Sequence, residues 1–157
     1  MDLILWRHGE AKEAEGALPG SKADMSRELT VRGERQVRRM GQWLDRQLVD
    51  TAKIYSSPAV RSVRTAHAVG RKFKISDELA PLSTPAQVLN LAGWPDAKNP
   101  VVIVGHQPTL GMVIAELLHL KDEQCALRKG SLWWLRGREK DGRFQVQLMA
   151  VQSPDFL

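Results

Sequence analysis

One stretch at the start of the chain, Leu3-Ile4-Leu5-Trp6-Arg7-His8-Gly9-Glu10, constrains the rest of it. Four apolar residues in an unbroken run are too few for a helix and suit a strand buried on both faces of a parallel sheet. The run ends in Arg7-His8, and Gly9 permits a tight turn or a positive φ. In an open α/β sheet such a strand delivers its last side chains to the crevice at the carboxyl edge, where ligands bind. The alternative is a strand that ends in two solvated polar residues. This stretch alone does not choose between them.

The chain of 157 residues is long enough for one domain, 1–157, with a real core. No apolar run approaches the roughly 20 residues needed to span a bilayer. No basic segment precedes the first strand, which argues against a signal peptide. Cys125 is the single cysteine, so an internal disulfide is excluded and a reducing, cytoplasmic setting is expected. A net charge of +5 and a pI near 9.7 imply attraction to an anion: a phosphorylated group, an acidic protein face or nucleic acid.

Residues 11–28 are polar, contain Gly16, Pro19-Gly20 and Ser21, and show no sustained period. They read as a long loop bordering the end of the first strand, and such loops are usually functional or disordered. Thr30 reads as a helix N-cap. Val37, Met40, Leu44 and Leu48 follow on one stripe, with Arg32, Arg35, Arg39 and Arg46 on the opposite face. That basic stripe is either a solvated face or a docking surface for an acidic partner, and Trp43 beside it favours an interface.

Lys53–Ser56 reads as a second strand. Ser57-Pro58 then reads as an N-cap with proline at the first helical position, and the helix runs from Ala59 to Arg71. Arg61 falls in its first turn. A cation there opposes the helix dipole, an arrangement that makes sense if an anion binds at that end. His67 lies away from the packing stripe. Ile75–Leu79 reads as a short strand, and Thr84-Pro85 opens a helix through Ala92. Val101–Val104 is the clearest buried strand and runs into Gly105-His106-Gln107-Pro108. The next helix starts at Pro108 and turns Leu110, Val113, Ile114 and Leu117 inward, with His119 on its far side. Ser131–Arg136 and Phe144–Val151 bracket Lys140-Asp141-Gly142 as an antiparallel hairpin. Its Trp133 and Trp134 point to opposite faces, one to the core and one over an edge or helix.

Three strand-to-helix junctions thus carry Arg7-His8, Arg61 and His106. Neighbouring parallel strands bring such junctions to one sheet edge. Two arginines, two histidines and two helix N-termini converging there would make a site for a dianionic phosphoryl group.

The motifs, taken in order, resemble those of the histidine phosphatase (phosphoglycerate mutase-like) superfamily. They are Arg7-His8-Gly9, Leu29-Thr30-x-x-Gly33, Ser56-Ser57-Pro58-x-x-Arg61-x-x-x-Thr65-Ala66 and Gly105-His106-x-Pro108. The short chain, without a large inserted cap, is most similar to the bacterial SixA-type phosphohistidine phosphatases. The resemblance implies a three-layer α/β/α sandwich with a mostly parallel central sheet. It implies His8 as nucleophile and Arg7, Arg61 and His106 as the phosphate pocket. His8 must attack as a neutral imidazole, and two guanidiniums nearby disfavour its protonation. They also offset charge on the transferring phosphoryl oxygens. His106, facing a dianion, is expected to be cationic. No metal or other cofactor is required. Many members protonate the leaving oxygen with an acid. Glu78, in Ser76-Asp77-Glu78-Leu79, is the candidate for that role here, against the reading of a solvated turn residue. Glu10 reads as structural.

The leading expectation is a phosphatase acting on phosphohistidine in proteins, with phosphate or another oxyanion in the pocket and no nucleic acid or membrane partner. The alternatives are a small-molecule phosphomonoesterase or mutase of the same superfamily, and a phosphate-binding module without chemistry.

Overall fold

Leu3, Ile4, Leu5 and Trp6 are all fully buried, but on two different faces. The computed structural model, which describes residues 1–157, places them in β1 (Asp2–Arg7) at the middle of a six-stranded sheet. Side chains alternate across a strand. Leu3 and Leu5 therefore enter one core with Ile103, Leu110, Val113 and Ile114. Ile4 and Trp6 enter a second core with Val37, Met40, Leu44, Ala66, Val102 and Val104. Helices cover both faces, which gives the expected three-layer α/β/α sandwich.

The elements in order are β1, α1 (Lys22–Met25), α2 (Val31–Gln47), β2 (Lys53–Ser56), α3 (Val60–His67), β3 (Lys74–Ile75), a 3-10 turn (Asp77–Leu79), α4 (Pro85–Ala92), β4 (Val101–Gly105), α5 (Thr109–Leu117), β5 (Leu132–Lys140), β6 (Arg143–Gln152) and a last 3-10 turn (Pro154–Phe156). The strand order is β3-β2-β4-β1-β5-β6. β1, β2, β3 and β4 run parallel, and β5 and β6 add antiparallel at one edge. No helix is long and apolar enough to cross a membrane.

α2 buries Val37, Met40 and Leu44, Leu48 is buried at its C-cap, and Arg32, Arg35, Arg39 and Arg46 are exposed, as the spacing predicts. Its Thr30 cap accepts from the Gly33 N–H at 2.9 Å. Gly33 lies so close to β1's continuation that an added Cβ would collide with the Glu10 carbonyl. The Leu29-Thr30-x-x-Gly33 pattern is thus a cap plus a close approach, and it seats the α2 N-terminus beside the end of β1.

Several expectations are corrected. The helix expected over 59–71 spans Val60–His67 only, with Ala59 as N-cap and no side-chain cap. Ser57 does not cap it, because its hydroxyl is taken up by His106 and the Ala59 N–H. The strand expected over 75–79 is a two-residue strand followed by a 3-10 turn, since Ser76 Oγ captures the Glu78 N–H and turns the chain. Trp133 and Trp134 do face opposite ways, but each is half-buried and each packs on its own core. Trp43 is half-buried against the second core, so its presence is explained by packing and not by an interface. His67 and His119 are exposed.

Candidate active site

Register brings the three junctions together. Arg7 lies opposite Gly105 in the β1–β4 ladder, and Ser56 lies opposite Val104 in the β2–β4 ladder. The next residues, His8, Ser57 and His106, therefore leave the sheet side by side. The His8 N–H donates to the Gly105 carbonyl at 3.2 Å and the Ser57 N–H to Val104 at 3.0 Å. His8, Arg61 and His106 are buried at 7%, 3% and 5% exposure. The imidazole centroids of His8 and His106 are 5.1 Å apart.

Arg61 ties the group together. Its Nε donates to His8 Nε2 at 3.3 Å, and its Nη2 donates to His106 Nδ1 at 3.3 Å. A guanidinium only donates, so both ring nitrogens must be unprotonated. This sets the tautomers. The proton of His8 sits on Nδ1 and is donated to the Gly9 carbonyl at 2.7 Å. The proton of His106 sits on Nε2 and is donated to Ser57 Oγ at 2.7 Å. Burial pushes His8 well below the ordinary imidazole pKa, aided by His106, Arg61 and Arg7 and opposed by the Gly9 carbonyl. The neutral His8 expected from two neighbouring guanidiniums is present, with burial as the larger cause.

His106 departs from the expectation of a cation. Burial first, then the Arg61 charge, lowers it to about 3. The protein's own groups therefore hold it neutral. Only the negative charge of a bound anion could supply the reason for protonating it.

Arg7 reaches the site from β1, where its Nη1 donates to the Leu127 carbonyl at 2.6 Å. Its Nε is buried with no protein acceptor, and its Nη2 makes no hydrogen bond within the protein. Glu78 is not brought in. Leu79, Ala80 and Ser83 line a small cleft with His106. Glu78 itself is exposed, and its backbone N–H is spent on Ser76.

The residue that sequence reasoning missed is Asp24. It lies in the 11–28 loop, on α1, and is only 5% exposed. Its carboxylate sits 3.3 Å from Arg61 Nη2 and 3.1 Å from Arg27 Nη1. Its backbone carbonyl accepts from Arg61 Nη1 at 2.7 Å. Burial raises the Asp24 carboxyl, but the Gly20 N–H, Arg27 and Arg61 together hold it below the usual carboxylate value. The first anion facing Arg61 is therefore Asp24. The one available signal was Ser21, which caps α1 by accepting from the Asp24 N–H at 3.2 Å. Glu10 is structural, as expected: its carboxylate accepts from Thr30 Oγ1 at 2.9 Å and pairs with Arg32 at 3.5 Å.

The fold is an α/β sandwich with this cluster at the carboxyl edge of its parallel strands, and comparison with known proteins gives its family. The family model described as Histidine phosphatase superfamily (branch 1) matches residues 3–82. The chain belongs to that superfamily. Within it, the chain is similar to the phosphohistidine phosphatase SixA homolog of Haemophilus influenzae, 30% identical over 132 residues, covering 74% of this chain and 77% of that one. It is also similar to phosphohistidine phosphatase SixA of Escherichia coli, 30% identical over 125 residues and 74% of each chain. The structure of the protein histidine phosphatase SixA complexed with tungstate superposes with a TM-score of 0.74 at 23% identity over 99% of both chains, a likeness of fold.

Proposed function

We propose that this chain removes the phosphoryl group from phosphohistidine in proteins, through a phosphohistidine intermediate on His8. The observation that carries the reading is the Arg61–His8 contact, which keeps Nε2 unprotonated inside a pocket of cationic donors. The relatives named phosphohistidine phosphatase support the same reading.

In this reading the substrate's phosphoryl oxygens engage Arg7 Nε, the Arg61 guanidinium and His106. His8 Nε2, freed when Arg61 Nε turns its N–H to a phosphoryl oxygen, attacks phosphorus in line with its lone pair, and the P–N bond of the substrate breaks with its electron pair returning to the leaving ring. That ring carries a proton on its other nitrogen and departs neutral. The phosphorylated His8 ring is cationic, and the Gly9 carbonyl on Nδ1–H stabilises it. Water then attacks phosphorus, the P–Nε2 bond breaks, and inorganic phosphate leaves with His8 restored. The arginines offset charge on the equatorial oxygens throughout.

The test is rapid-quench kinetics with a peptide carrying radiolabelled phosphohistidine. Label should appear transiently on the enzyme, be acid-labile, and map to His8. Label on another residue, or turnover without any labelled enzyme, rejects the assignment. Faster turnover of an alkyl phosphate than of the phosphohistidine peptide makes the chain a phosphomonoesterase or mutase instead.

A further inference from the structure

The phosphoryl group of a phosphohistidine protein stands no further from its carrier's backbone than one imidazole side chain. His8 is recessed, at 7% exposure. A carrier protein must therefore press its own surface against the rim of this pocket.

The charged surfaces near the end of β1 differ. The 11–28 loop exposes a mixed set, Lys12, Glu13, Glu15 and Glu28. The outer face of α2 and residues 128–129 are rich in arginine and lysine. A trough starts at Glu10, two residues past His8, and runs between α2 and the segment before β5. Arg32 lines it together with Arg128 and Lys129, and it continues along α2 past Arg35 and Arg39. The trough is built onto the site. The Gln36 side chain accepts from the Glu10 N–H at 2.9 Å, and the Gly130 N–H donates to the His8 carbonyl at 2.9 Å. Its charges are only partly neutralised. Glu10 pairs with Arg32 at 3.5 Å and Asp155 with Arg128 at 2.6 Å. Arg39 donates to the backbone oxygen of Leu157, the last residue of the sequence, while Arg35 and Lys129 have no Asp or Glu carboxylate within 4.0 Å. Exposed arginines on one helix face are ordinarily a solvated face. Here two sequence-distant segments place like charges around one trough that begins two residues past His8, and these charges repel one another unless something acidic fills it.

We infer that the trough between α2 and residues 128–129 docks an acidic protein face, and that this chain accepts phosphohistidine from carriers whose surface beside the histidine is rich in Asp and Glu. The inference rests on the phosphohistidine reading above. Complementary charge acts chiefly on encounter, so it shows in kcat/KM and at low salt.

The test compares three phosphohistidine peptides of equal length, flanked by glutamates, by neutral residues and by lysines, with the wild-type chain and the Arg35→Glu/Lys129→Glu variant. The wild type should prefer the glutamate peptide over the lysine peptide by about tenfold in kcat/KM at low salt, with the gap closing as salt is raised. The variant should lose or invert that preference and turn over the neutral peptide as the wild type does, which also shows that it is folded. No preference in the wild type, or the same preference in the variant, overturns the docking surface while leaving the phosphohistidine reading intact. A DNA duplex that binds the wild type and not the variant, with no peptide preference, assigns the trough to nucleic acid and overturns the proposal. A folded wild type that hydrolyses none of the peptides rejects the functional reading, and the docking surface falls with it.

Discussion

Asp24 and Arg61, 37 residues apart in sequence, form a buried ion pair at 3.3 Å, reinforced by the 2.7 Å bond from Arg61 to the Asp24 carbonyl. Removing one member of a buried pair leaves the other charge without compensation, and that is costly. Asp24→Asn keeps the shape and part of the hydrogen bonding. It should still lower stability at neutral pH by about 2 kcal/mol, read as the urea midpoint. Because the Asp24 carboxyl is depressed in the fold, its contribution is present above the unfolded value near 3.9 and lost as pH falls through the folded value. The gap between wild type and variant should narrow below about pH 3.9. Equal stability at pH 7 would mean that Asp24 contributes nothing to holding Arg61.

His8→Ala should remove the nucleophile and reduce turnover of a phosphohistidine peptide roughly ten-thousand-fold or more. His8 lies at the end of β1, outside both apolar cores, so far-ultraviolet dichroism and the folded yield should stay as in the wild type. Residual turnover above a hundredth of wild type in a folded variant would exclude covalent catalysis at this ring.

His106 gives two linked effects. An unfolded histidine takes up a proton near pH 6.5, while the folded one waits until about 3. Between these values the unfolded state binds more protons, so stability rises with pH and is lost as pH falls below 6.5. His106→Gln should flatten that slope by up to about 1.4 kcal/mol per pH unit, measured by denaturant unfolding at pH 5 and pH 7. A dianion changes the balance, because His106 Nδ1 can donate to it only when protonated. Tungstate binding at pH 7 should therefore take up protons, seen by calorimetry in buffers of different ionisation enthalpy, and His106→Gln should abolish the uptake. Buffer-independent heats in the wild type would show that His106 stays neutral against the anion.

Glu78 is exposed and touches none of the pocket's side chains, so Glu78→Gln should leave phosphohistidine turnover within about twofold of wild type. Phosphohistidine releases a ring that carries its own proton, whereas an alkyl ester releases an alkoxide that needs an acid. Alkyl phosphates should accordingly be poor substrates of either form, measured as kcat/KM. Collapse of alkyl ester turnover on removing Glu78 would make it a general acid that reaches the pocket with substrate bound.

Much of this protein is legible in local order. The unbroken apolar runs of β1 and β4, the α2 stripe and the polar residues that follow those two runs are short-range patterns, and each implies its element without reference to the rest of the chain. Parallel pairing then obliges Arg7, His8, Arg61 and His106 to meet at one edge. What tertiary structure alone decided is the electrical state of that meeting. Asp24 sits in a polar stretch with no period, where Ser21 marks the cap of the short α1 but does not tell that Asp24 will be buried against Arg61 and Arg27. Ser57 looks like a helix cap because serine before proline usually is one, but His106, 49 residues on, takes its hydroxyl. His106 is neutral because burial outweighs an expectation drawn from its ligand. Desolvation and hydrogen-bond partnership depend on which groups the packed fold places within a few ångströms, and no local pattern of residues encodes those distances.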